Sequence, residues 1–146
     1  MIKLLREKRK TYLNKIIAQL DPFLYRSLRY NFEFSLALGI ADERINLENF
    51  VHAKRKTDAY IHLEDNLYCM VLDGTNADSA IKATSNLQTM FQRKYFNVKL
   101  FISVVSSIEY NNENVMVNSL FDIIEYSINH NMDNQVMDRG QIAQRC

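Results

Sequence analysis

Four carboxylates stand close together in sequence on two short polar segments: Asp42 and Glu43 after one apolar run, Glu64 and Asp65 between two others. Carboxylates converging from two turns could hold a divalent cation, because hard cations such as magnesium take anionic oxygen ligands. The plainer reading is two solvated turns carrying like charge. Beside them lie the basic stretch 52–56 and a pair three positions apart in the chain, Arg55 and Asp58. Such a pair at a helix-to-strand junction can simply tie down a turn. His52, His62 and His130 are scattered, with no metal-type spacing to a cysteine. The chain has no glycine-rich phosphate loop, no dinucleotide fingerprint and no strained serine turn of the hydrolase kind.

These residues need elements to place them. Residues 2–30 carry Leu5, Tyr12, Leu13, Ile16, Leu20, Phe23 and Leu28 at helical spacing, and Asp21-Pro22 divides the stretch into two helices. The run 34–41 is nearly all apolar and reads as a central strand buried on both faces. Asn46 can cap a short helix over 47–56. Residues 58–63 and 67–72 are strands around a polar turn, a hairpin signal. An amphipathic helix is predicted over 78–95, a strand over 98–105, a last helix over 115–131 and a short edge strand over 135–137. The order, an N-terminal helix and then β-α-β-β-α-β, predicts an α+β, ferredoxin-like palm: an antiparallel sheet with helices on one face. In that topology the end of the first strand meets the hairpin turn at one edge.

The bulk numbers fit this. At 146 residues, 47% hydrophobic and 24% charged, the chain is expected to fold as one domain. Residues 1–20 read as a lead helix, serving as a dimer handle, as a linker, or packed on its own domain. Residues 21–138 form the domain, and 139–146 a tail. A net charge of +1 implies no general attraction to nucleic acid or membrane. Cys69 reads as a buried thiol and Cys146 closes the chain, which suits a reducing compartment. No apolar run approaches a membrane span and the basic start lacks a secretion-type core, so the cytoplasm is the expected location.

The hairpin 58–72 in outline resembles the active-site hairpin of GGDEF domains, the diguanylate cyclase family. Further positions resemble the family in order and spacing: Arg29, Tyr30 and Asn31 before the 34–38 run, Arg55 and Asp58 at the Arg-x-x-Asp, Leu72, Thr75 and Ala80 after the hairpin, 101–106 in a later strand, and Tyr126, Asn134 and Val136 near the end. Where the family has Gly-Gly-Asp-Glu-Phe, this chain has Glu64, Asp65, Asn66, Leu67 and Tyr68. The resemblance puts the family's first metal-binding Asp at Ile40 and its turn acid at Asn66, neither of which is a carboxylate. Glu64 and Asp65 replace the glycines and would repel a triphosphate. The segment between Ala41 and Arg55 is too short for the family's guanine-recognition unit.

The resemblance therefore implies a signalling domain without cyclase activity, with no cofactor and no bound metal. It would work through a protein partner or self-association as a dimer. The Arg-x-x-Asp implies a nucleotide-binding site for cyclic di-GMP at Arg55 and Asp58, supported by Lys82. A guanidinium can fork onto phosphate or the guanine edge, and a carboxylate can accept from guanine N–H groups. Two alternatives remain open: an active cyclase with relocated metal ligands, and a ferredoxin-like module binding single-stranded RNA through Tyr60 and Tyr68 beside the basic stretch.

Overall fold

Period-two alternation in residues 34–41 decides how the molecule is layered. In the computed structural model, which describes residues 2–48, 59–110 and 112–140, this run is strand β1 (Phe34–Ala41). Phe34, Leu36, Leu38 and Ile40 face one apolar cluster, and Ala37 and Ala41 face another. The strand is thus bulky on one side and small on the other, and both sides are covered.

Strands β2 (Ala59–Glu64) and β3 (Leu67–Asp73) form the expected hairpin, with a bulge between His62 and Glu64. Strand β4 (Leu100–Ser106) follows, then a single 3-10 turn (Ser107–Glu109), and β5 is Val136–Met137. The sheet order is β2-β3-β1-β4-β5; the first four strands are antiparallel and β5 joins β4 in parallel. This is the ferredoxin-like order read from the sequence, with the short edge strand in its expected place.

Helix α1 (Ile2–Ala18) and helix α2 (Asp21–Tyr30) are separated by a break of two residues. Pro22 sits in the first turn of α2, where its missing N–H costs nothing, and Asn31 ends that helix in the left-handed region. Helix α3 (Ala77–Lys94) is capped by Asn76, whose side chain accepts from the Ser79 N–H at 2.8 Å. Helix α4 (Glu113–Asn129) is capped in the same way by Asn112, accepting from Val115 N–H.

The expected single helical face describes only part of the packing. Helix α3 covers the Ala37 side through Ala80, Leu87 and Phe91. Helices α1, α2 and α4 cover the opposite side through residues such as Ile16, Phe23 and Phe121. The physical reason is that β1, β3 and β4 are apolar on both faces, so both need cover.

The apolar stripe of α1 lies within this core: Leu5, Tyr12, Leu13 and Ile16 are buried. Arg9 fixes the helix laterally to α4, donating to Asp122 at 2.7 Å and lying 3.7 Å from Glu125. Tyr12 stacks on Phe121 with centroids 6.4 Å apart. Among the described residues no helix is long and apolar enough to cross a membrane.

Candidate functional site

The end of β1 and the hairpin turn meet as the topology requires. Ile40 pairs with Leu67 in register, and Phe101 of β4 flanks Ile40 on its other side. Ile40, Leu67 and Phe101 are each 1% exposed and belong to one apolar cluster. The position that the family resemblance gives to a metal-binding Asp is therefore core.

Asn66 is committed to backbone. Its Nδ2 donates to the Ala41 carbonyl at 2.9 Å, and its own carbonyl accepts from the Ala41 N–H at 3.0 Å. The neighbouring Asp65 carbonyl accepts from Leu47 N–H at 2.9 Å. The turn is thus laced to the chain leaving β1. Asn46, the expected cap, accepts from Glu48 N–H at 2.9 Å, although the helix predicted over 47–56 lies almost wholly outside the described residues.

The four carboxylates line one open cleft, yet they are not placed to share a metal ion, and three of them are engaged by separate donors. The Asp42 side chain accepts from Lys99 N–H at 2.9 Å. Glu64 accepts from Tyr12 Oη at 2.9 Å and lies 3.4 Å from Lys8 Nζ. Asp65 pairs with His62 Nε2 at 3.0 Å. Glu43 is exposed. Among the described residues no group of three His, Cys, Asp or Glu side chains is placed to hold a metal ion. The magnesium site that the family resemblance implies does not fit the residues at positions 40 and 66: an aliphatic core residue and a backbone-bound amide offer no anionic oxygen.

Around the turn lies an open cleft of about 780 Å³, lined by Lys8 of α1, by Asp42, Arg44 and Asn46, and by His62 and Glu64 of the hairpin. Its electrostatics are mixed. The hydrogen bond from Tyr12 is the main influence holding the Glu64 carboxyl below its ordinary range, aided by Lys8; partial burial opposes them. Burial and the same carboxylate push the Tyr12 hydroxyl up. Tyr68 is buried on the Ala37 side of the sheet, and that burial, with Glu48 and Asp65 adding, raises its hydroxyl too. His62, half-exposed, meets the Tyr68 ring edge-on at 5.1 Å.

Of the residues proposed for cyclic di-GMP, Arg55 and Asp58 lie outside the described residues. Lys82 is exposed on α3. The RNA reading needs an open aromatic sheet face. Tyr68 is instead buried beneath α3, with Tyr60 partly buried against the same cluster. Lys8 and Tyr12 were not legible as site residues, because 52 positions separate Tyr12 from Glu64 and only packing joins them.

The fold has solved counterparts. It is similar to the active GGEEF domain of a diguanylate cyclase from Vibrio cholerae, with a TM-score of 0.67 and 12% identity, covering 83% of this chain and 92% of that one. It is similar to the GGDEF domain of YfiN from Pseudomonas aeruginosa, with a TM-score of 0.66 and 12% identity over 87% of this chain and 91% of that one. A third is the GGDEF domain of DgcB from Caulobacter crescentus in complex with c-di-GMP, with a TM-score of 0.62 and 8% identity over 83% of this chain and 84% of that one. No protein-family model and no curated protein matches the chain. Strand order, hairpin position and these likenesses together establish that the chain has the fold of a GGDEF domain.

Proposed function

We propose that this chain is a regulatory domain of the GGDEF signalling type that works in the cytoplasm without cyclase activity. It acts by contact with a protein partner or a second copy, and binds cyclic di-GMP at Arg55 and Asp58 with Lys82 nearby. The observation that carries the loss of catalysis is the junction of β1 with the hairpin. Ile40 is buried in the core and Asn66 is bonded to Ala41, so neither supplies a metal ligand. Two-metal phosphoryl transfer depends on such ligands to neutralise the triphosphate. Glu64 and Asp65 add negative charge where the phosphates would lie.

Support for the ligand reading comes from the residue types at 55 and 58 and from the c-di-GMP complex of a structurally similar domain. Calorimetric titration with cyclic di-GMP tests it, alongside Arg55→Ala. Heat that disappears in the variant supports a receptor. No heat at high ligand concentration leaves protein contact as the function. Incubation with GTP and magnesium tests the catalytic part, and steady formation of cyclic di-GMP would overturn it.

A further inference from the structure

Among the described residues, the polar contacts of helix α1 with the hairpin turn converge on Glu64. Tyr12 is 3% exposed, its ring stacked on Phe121 of α4 and its hydroxyl donating to Glu64 Oε1 at 2.9 Å. Lys8, one turn earlier on the same helix, approaches the same oxygen at 3.4 Å and lines the cleft beside the turn. From Glu64 the connection continues through backbone. Asp65 and Asn66 accept from the N–H groups of Leu47 and Ala41, and Asn66 returns a side-chain bond to Ala41. Arg9 holds α1 to α4 through Asp122 and Glu125, and the apolar stripe of α1 packs in the cluster that also contains Ile61, Leu63 and Leu67 of the hairpin.

We propose that α1 is a strap across the hairpin edge: Tyr12 and Lys8 hold Glu64, so that displacement of α1 loosens the turn, and a ligand or partner engaging the turn loosens α1. This inference stands apart from the reading of catalysis and of cyclic di-GMP, since it concerns the bare chain. Coupling of this kind must be reciprocal, because both directions draw on one interaction free energy.

Amide hydrogen exchange by NMR on the whole chain tests it. The N–H groups of Ala41 and Leu47 report the turn, those of residues 9–16 report α1, and those of β4 report global opening. Tyr12→Phe keeps the ring and removes only the hydroxyl. It is expected to speed exchange at Ala41 and Leu47 roughly three- to ten-fold, the net worth of one ordinary hydrogen bond, since the Glu64 carboxylate keeps access to solvent. Glu64→Gln, which keeps the shape of the turn, and Glu64→Ala are expected to speed exchange in residues 9–16, the alanine variant more strongly. Lys10→Ala, at an exposed position on α1, serves as a control and is expected to change neither. Unchanged exchange at Ala41 and Leu47 in Tyr12→Phe would overturn the proposal. So would acceleration of β4 by the same factor, or an effect in one direction only.

Discussion

Ile40→Asp returns a carboxyl to the position that the fold's catalytic members are expected to use, and the structure says what that substitution does. Ile40 is 1% exposed between Leu67 and Phe101, each equally buried. Truncating a buried Ile to Ala costs about 2–5 kcal/mol through lost transfer energy and the cavity left behind. Desolvating a carboxyl in the same place adds about 1–3 kcal/mol even when it becomes neutral. The sum, roughly 4 kcal/mol or more, is a large share of the 5–15 kcal/mol typical of a domain. With a urea slope of about 2 kcal/mol per molar, the unfolding midpoint falls by about 2 M at neutral pH.

The sign of the pH dependence follows from burial. Desolvation raises the introduced carboxyl's pKa in the folded state, so the folded chain binds its proton more tightly than the unfolded chain does. The variant is therefore least impaired below the unfolded value of about 4 and loses stability as pH rises above it. Urea titrations at acid and neutral pH, monitored by circular dichroism, measure both effects. Magnesium is expected to restore nothing, because Asn66 remains bonded to Ala41. A midpoint shift under about 0.5 M, or rescue by magnesium, would show that position 40 faces an open cleft, and the argument for lost catalysis would fail.

The other predictions concern the supports of the fold. Gln88→Ala removes a buried amide that donates to the Leu100 and Asp133 carbonyls at 2.9 and 2.7 Å; the expected cost is about 1–3 kcal/mol in urea unfolding, with β5 loosening first by hydrogen exchange. Cys69 is fully buried and its thiol is pushed up to about 12, so a thiol reagent followed by peptide mass spectrometry is expected to label it only after unfolding. The Glu64 carboxyl is held below its ordinary range first by Tyr12. Its contribution is present above the unfolded carboxyl value and is lost as pH falls through the lowered folded one. Tyr12→Phe is expected to reduce that acid-side slope, so that wild type and variant converge in strong acid.

Much of the architecture was legible because local rules and the global fold agree. The nearly unbroken apolar run 34–41, the polar break at 64–66 and helical spacing in 78–95 and 115–131 each named an element that the structure contains, to within a few residues. The strand order followed from connection rules, since a β-α-β-β-α-β chain has few ways to bury its apolar faces. The two-sided cover of the sheet was less accessible. Periodicity shows that a helix has an apolar face, and it does not say which layer receives that face. The stripe on α1 served equally well for self-pairing or for docking, and only packing shows it buried on its own domain.

The candidate site divides along the same line. Residue identity alone decided that positions 40 and 66 carry no acid, because a side chain without an anionic oxygen cannot acquire one by folding. Where Asp42, Glu43, Glu64 and Asp65 would turn was a tertiary question. Asp42 and Glu64 take donors from distant parts of the chain, Lys99 and Tyr12, whereas Asp65 takes its neighbour His62. No spacing rule encodes a hydrogen bond between residues 12 and 64. It exists because α1, α4 and the hairpin share one apolar core, which places a phenol beside a turn.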